Sequence, residues 1–332
     1  MKNGRKLVAL VMAILMVLSL AAVASAETVK TAKIGILQYV EHNALDASAQ
    51  GFKDVLMEAG YTEDCFTYQN ASGDNATLQL MAEDFAEGYD LVLAVATPAV
   101  QLMSSVTDTT PILGTAVTDY VSANLVMSNE KPGANVSGTT DMNPIKEQID
   151  LLMQLAPETK TIGIAYTSSE VNSEVQANAA IEYIESLGLA YEVKTITAVG
   201  DLQQVMESLV GKVDALYLPT DNIIASAMEI VGQIAGPAKI PAICGESNMV
   251  SVGGLATYGI DYYELGRQTG MMALEILETG ANVSEMPIES LENLSIYLNQ
   301  AVADEIGVVF PEDLVANAAE IYPLAEEAAA AE

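Results

Sequence analysis

The sequence predicts an α/β fold of two Rossmann-like lobes, each built on a parallel sheet, with a ligand cleft between them. Six apolar runs each give way to a short polar loop just before a helical pattern: IGILQY-VEHN (34–43), LVLAVAT-PA (91–99), ILGTAV-TD (112–119), IGIAY-TSSEVN (162–172), ALYL-PTDN (215–222) and AIC-GESN (242–248). These runs fall into two βα series of similar length, separated by an irregular stretch over 120–142 that carries EKPGANVSG. Strands that feed helices in this way form open parallel sheets, and such sheets bind small molecules beyond the carboxyl ends of their strands. The six polar loops are therefore candidate parts of one site.

The first series starts with a strand over 32–39 and a helix near 43–59 closed by Gly60. A strand over 63–69 follows, then a helix near 76–87 with Asp74 as its cap, since a short acceptor side chain satisfies free N–H groups of the first turn. A strand over 90–96, a short helix from Pro98 and a strand over 111–117 complete it. The second series begins where Ile145, Ile149, Leu152 and Leu155 recur at helical spacing before Pro157 stops the helix. Strands over 161–166, 190–196, 214–218 and 240–244 alternate with helices over 172–187, 201–210 and 222–235. After Gly253-Gly254 come the strand-like ATYGIDY (256–262), a helix over 262–279, a strand over 294–298 and a helix near 300–306. These last pieces are placed to cross back and complete both sheets through a three-strand hinge. The expected lobes are 27–120 plus about 258–285, and 121–257 plus about 286–322, with a fraying Ala/Glu-rich tail over 323–332.

Residues 1–26 read as an export signal: Lys2, Arg5 and Lys6 precede an apolar run from Leu7 to Leu18, and Ala24-Ser25-Ala26 fits a cleavage site. The alternative is a membrane anchor, for which the apolar core is short. Removing the signal takes the formal charge from -32 to -35, carried by 10 basic and 45 acidic residues. That excludes the basic footprint of a nucleic-acid-binding protein. Cys65 and Cys244 are the only cysteines, on separate βα runs; two free thiols are expected, with a disulfide pinning the lobes as the alternative.

Motifs for enzyme chemistry are lacking: there is no GxxxxGK[ST], no GxGxxG after the first strand, no HExxH and no GxSxG. His42 is the single histidine, so no His-rich metal site or second proton-shuttling histidine exists. The reading is a binding protein without catalysis, metal or cofactor. Thr97, before Pro98, can donate its hydroxyl to a ligand carboxylate near free helical N–H groups, and Thr118 offers the same one strand over. Ser168, Ser169 and Asn172 face them as further donors. Asp221 and Glu246 are candidates for a ligand ammonium, a charge-assisted contact of about 1.5–3 kcal/mol. Tyr39 can stack on a planar or apolar group, and His42 can donate from the cleft edge. Taken singly, each Ser, Thr, Asn or acid is also an ordinary helix cap.

Longer stretches then carry a family resemblance: KIGILQYVEHNALD (33–46), GFKDVL (51–56), YQNASGD (68–74), LVLAVATPA (91–99), AVTD (116–119), KPGANVSGTTDM (131–142), TIGIAYTSSEVNS (161–173), VGKVDALYLPTDN (210–222) and LATYGIDYYELGRQTG (255–270). Over almost all of the chain after the signal it resembles the substrate-binding proteins of ABC transporters with the type I periplasmic-binding fold, most of all the tryptophan- and tyrosine-binding branch. The resemblance implies closure of two lobes on one amino acid, an aromatic L-amino acid, followed by docking of a monomer on ABC permease subunits in the membrane. It implies that Tyr39, Thr97, Thr118, Asp119, Ser169, Asn172, Thr220, Asp221, Asn222 and Glu246 face the cleft. Two departures stand out. HNAL at 42–45 replaces a pattern with proline after the histidine, and no lipobox cysteine is present, which implies a soluble periplasmic or extracellular form. Alternative cargoes are a branched-chain amino acid, a short peptide or a purine-like compound. A ligand-sensing module of a signalling system is the alternative role.

Overall fold

The computed structural model describes residues 30–322, so the expected signal segment and the tail over 323–332 lie outside the described residues. The strands, in chain order, are β1 (Ile34–Gln38), β2 (Phe66–Asn70), β3 (Leu91–Val95), β4 (Ile112–Val117), β5 (Val136–Thr140), β6 (Thr161–Thr167) and β7 (Ala190–Ile196). They continue with β8 (Ala215–Leu218), β9 (Ala242–Cys244), β10 (Ala256–Gly259), β11 (Glu289–Ser290), β12 (Ser295–Asn299) and β13 (Ala318–Tyr322). One sheet has the order β2-β1-β3-β4-β5-β11 and is parallel throughout. The other runs β7-β6-β8-β9-β10-β12-β13, with its one antiparallel pairing between β10 and β12.

Each sheet therefore repeats one winding, in which the first strand of the lobe sits between the second and the third. The strand order reverses between β1 and β3 in the first lobe and between β6 and β8 in the second. At such a reversal the flanking helices diverge to opposite faces and leave a crevice beyond the strand ends. Strands β1, β3 and β4 are buried along their whole length, as parallel strands covered by helices on both faces must be.

Sheet membership moves the expected lobe boundary. The stretch 120–142 was expected as an irregular crossing region, with 121 onward in the second lobe, yet β5 lies within it and pairs in parallel with β4. β5 reads VSGTT, with one large apolar residue, so it lacks the hydrophobic run by which a buried strand is recognised. Its hydroxyls supply the missing cohesion: Ser137 Oγ donates to Met286 O at 2.8 Å, and Thr139 Oγ1 lies 2.8 Å from Thr269 Oγ1. The short β11 also joins the first sheet beside β5, where 286 onward was expected in the second lobe. The chain crosses between lobes at 141–144, 260–261 and 291–294, giving three linkers.

The helix Tyr262–Leu274 returns to the first lobe and packs on the helix Asn43–Glu58. Glycine permits the contact: a Cβ at Gly51 would lie 2.1 Å from Tyr263 O, and one at Gly266 would lie 2.0 Å from Ser48 O. The expected helix over 222–235 is two pieces, Asn222–Ala225 and Met228–Ala238, and the helix expected to 279 leaves α geometry after Leu274 for a π turn, Glu275–Thr279. Cys65 sits in a 3-10 turn just before β2 rather than on it. Both cysteines are free and buried, so the lobes are not pinned by a disulfide. Among the described residues, no helix is long and apolar enough to cross a membrane.

Candidate functional site

The loops after β1 and β3 meet at the reversal point of the first lobe. Tyr39 follows β1 directly, is buried, and donates its hydroxyl to Gly73 O at 3.3 Å. After β3 the backbone turns through Ala96 at φ 82°, ψ 152°, a conformation that costs a residue with a Cβ about 1–3 kcal/mol. That turn starts the helix Thr97–Val106 at the strand end. Ala116, near the end of β4, is a second left-handed residue, at φ 56°. Strain at strand ends that face a crevice is the pattern expected where backbone position serves binding. The helices Asn43–Glu58 and Thr97–Val106 have no side-chain cap at their N termini. Thr97 Oγ1 is buried with no protein partner. Pro98 has no N–H, and Ala99 N and Val100 N donate to Ala96 O, so at this helix tip the Thr97 hydroxyl is the polar group left without a protein partner.

The second lobe presents the opposite chemistry. Glu170, buried after β6, accepts from Asn222 N at 3.1 Å, Ile223 N at 3.2 Å and the Asn172 amide at 3.0 Å. Asp221, fully buried after β8, accepts from Thr167 N at 2.6 Å, Thr167 Oγ1 at 2.8 Å and Ile224 N at 2.9 Å. Glu246, after β9, caps the helix Ser247–Val252 by accepting from Asn248 N at 2.6 Å and Met249 N at 2.7 Å. Asp141, just past β5, accepts from Thr118 Oγ1 at 2.9 Å and Tyr262 OH at 2.7 Å.

These four are the buried carboxylates of the described chain. Each lies within three residues of a parallel strand's carboxyl end, and no lysine or arginine is buried with them. Carboxylates removed from water without a cation resist ionisation. Burial, with the charge of Asp221 added, lifts Glu170 from 4.5 to about 8, and burial lifts Glu246 from 4.5 to about 7. Asp141 and Asp221 are also raised, mainly by burial. The Tyr39 phenol is pushed far above its ordinary range by burial and then by the charges of Glu170 and Asp221. Loss of solvent pushes His42 down to about 4, and its Nδ1 is enclosed without a partner.

The lobes touch across this crevice. Gln176 Nε2 donates to Thr118 Oγ1 at 3.2 Å, His42 Nε2 lies 3.4 Å from Asn222 Oδ1, and Gly73 faces Ile223. Of the sequence-predicted residues, Tyr39, His42, Thr97, Thr118, Asn172, Thr220, Asp221, Asn222 and Glu246 cluster at these strand ends. Their duties differ from expectation in two places. The single Thr118 proton goes to Asp141 and is not free for a ligand, and the Asp221 oxygens already accept from Thr167 and the next helix, Oδ2 from one donor only. Asp119 folds back on Val121 N, Ser122 N and Ser122 Oγ, and Ser169 is exposed with no side-chain hydrogen bond. Sequence reasoning passed over Glu170, Gln176, Asp141 and Tyr262. Glu170 had a visible signal, because it ends the same kind of polar loop as Asp221 and Glu246.

Two α/β lobes of matching topology, joined by three linkers around a polar crevice, define a type I periplasmic-binding fold. The chain belongs to the ABC transporter substrate-binding protein family, whose model matches residues 33–322. It is 42% identical over 275 residues to the tyrosine-binding protein of Clostridioides difficile strain R20291, covering 82% of this chain and 79% of the relative. Among solved structures, it is similar to an ABC domain from Streptococcus pneumonia in complex with L-Trp, at 37% identity and TM-score 0.84, covering 88% of this chain and all of that one. A ligand-free, open substrate-binding protein with adhesive properties from Clostridium difficile is 43% identical, over 87% of this chain and 99% of that one, but reaches a TM-score of only 0.67. The whole-chain superposition is thus closer on the L-Trp complex than on the open, ligand-free structure.

Proposed function

We propose that this protein is the extracytoplasmic binding component of an ABC importer and closes on a zwitterionic aromatic L-amino acid. The observation that carries the reading is the pairing of complementary receptacles at the two strand-order reversals. The uncapped helix behind Thr97 faces a ligand carboxylate, and the Glu170 side of the crevice faces its ammonium. Glu170 Oε1 takes one protein hydrogen bond, and Asn172 Oδ1 beside it takes none, so two acceptors are open to N–H donors. Tyr39, just past β1, offers a ring for the side chain to pack on. The aromatic preference is supported by the tyrosine-binding relative and by the tryptophan complex of the structural neighbour.

In this reading the ligand docks on one lobe, and closure adds the contacts of the other. Closure is favoured only by the ligand's extra affinity for the closed form. A permease then reads the relative placement of the lobes. Titration calorimetry with L-tyrosine, L-tryptophan, L-phenylalanine and L-leucine tests the cargo. One site with an aromatic ligand bound most tightly supports the reading, and tightest binding of L-leucine would remove the aromatic assignment. Ligand-dependent ATP hydrolysis by the reconstituted permease and ATPase tests delivery.

A further inference from the structure

A buried polar relay runs from the second-lobe wall to the linkers. Thr220 N donates to Gln176 Oε1 at 3.2 Å, and Gln176 Nε2 donates to Thr118 Oγ1 at 3.2 Å. Thr118 Oγ1 donates in turn to Asp141 Oδ1 at 2.9 Å, while Tyr262 OH donates to Asp141 Oδ2 at 2.7 Å. Gln176, Thr118, Asp141 and Tyr262 are each at most 3% exposed. Thr118 stands at the end of β4 and Gln176 on the helix Val171–Ser186, so their bond is the step that joins the lobes. Asp141 belongs to the first linker and Tyr262 follows the second.

We propose that Gln176 is a closure latch, a positioning residue that holds the lobes together through Thr118 and couples the Thr220–Asn222 loop to the linkers. Its geometry fits only the closed form. One carboxamide serves both lobes, its oxygen holding the Thr220 loop of its own lobe and its nitrogen reaching across. Domain opening breaks the second contact and leaves the first intact. Because every member is a protein group, the relay favours closure before any ligand arrives, and the ligand-free protein visits the closed state. The worth of one buried neutral hydrogen bond sets the expected size, about a fivefold shift in the closed-to-open ratio. By the same factor the latch raises apparent affinity, since a ligand that needs the closed state binds in proportion to its population.

The test uses the full exported protein with spin labels at Glu83→Cys and Gln204→Cys, exposed positions on the two lobes. Pulsed dipolar distance measurements without ligand are expected to show a closed population in the parent that falls about fivefold in Gln176→Leu and in Thr118→Val. Thr118→Ser, which keeps the hydroxyl, restores it, and the double variant is no more open than either single one. With ligand, dissociation speeds up in Gln176→Leu while association is little changed. Far-UV circular dichroism and unfolding midpoints separate loss of the latch from loss of fold. An unchanged ligand-free distance distribution in both Gln176→Leu and Thr118→Val overturns the proposal, as does failure of Thr118→Ser to restore closure. The affinity arm rests on the amino-acid reading, whereas the ligand-free distances do not. Failure of every tested amino acid to bind would therefore contradict the cargo assignment and leave the latch result standing.

Discussion

The two walls of the crevice have the same topology and opposite chemistry. In the first lobe, the helices beside the strand-order reversal have uncapped N termini, and Thr97 leaves its hydroxyl free. In the second, the helix Val171–Ser186 is likewise uncapped, but the N–H groups opening Asn222–Ala225 are taken by Glu170 and Asp221, and those opening Ser247–Val252 by Glu246. A repeated fold supplies strand ends and helix dipoles to both lobes, but loop side chains decide whether a helix tip stays available or is neutralised. Capping by carboxylates lines the second wall with acids that a nearby cation would draw into their ionised forms, and the unpartnered Thr97 hydroxyl leaves the first wall a free donor. On the proposed reading, a zwitterion is the ligand that satisfies both walls at once.

Four changes would break or sharpen this contrast. Glu170→Ala has the largest expected effect, because it strands several buried N–H donors that share one carboxylate. Chemical denaturation should show a loss of about 2–4 kcal/mol, with ligand affinity falling at least tenfold. Asp221→Asn comes next. Asparagine keeps one acceptor oxygen where both aspartate oxygens are in use, so stability should fall by about 1–2 kcal/mol and affinity should follow only through the displaced loop. An affinity loss with unchanged stability would instead put Asp221 in contact with the ligand.

Thr97→Val removes a hydroxyl that has no protein partner. Its unfolding midpoint should match the parent while affinity drops about fivefold, the worth of one hydrogen bond. A valine variant with parental affinity would take Thr97 out of the site.

The fourth change is pH. Glu170 and Glu246 have folded-state values of about 8 and about 7, above the 4.5 of an ordinary glutamate. Their contribution to stability is therefore fully present below pH ~4.5 and is lost as pH rises through 7 to 8. A bound ammonium favours their ionised forms. Ligand uptake near pH 7 should release protons, visible as a dependence of the calorimetric enthalpy on the buffer's ionisation heat. Binding enthalpies independent of buffer would show that neither acid changes its protonation on binding.

Much of the fold was legible because parallel strands here are continuous apolar runs with polar exits, and Asp74 caps the helix Asn75–Phe85 as its position suggested. What escaped had no such signature. β5 is a strand of hydroxyls and glycine that is defined by its neighbours, and the close packing of Gly51 on Tyr263 depends on two segments far apart in sequence. The site was legible as a location more than as a set of duties. Strand ends placed Tyr39, Thr97, Asn172, Asp221 and Glu246 together, but sequence does not show which protein donors reach a carboxylate first. Asp221 caps its own helix at Ile224 N, a duty open to any acid before a helix, but Thr167 reaches it only in the folded chain, as Asn222 and Ile223 reach Glu170.

The division of labour between the walls is tested most directly by dissecting the ligand. Calorimetric titration would compare L-tyrosine with tyramine, which lacks the carboxylate, and with 3-(4-hydroxyphenyl)propionate, which lacks the ammonium. The acid-lined second wall predicts that the parent protein binds tyramine more tightly than the propionate, and that Glu170→Gln narrows that gap chiefly by weakening tyramine. Tighter binding of the propionate by the parent protein would contradict the account.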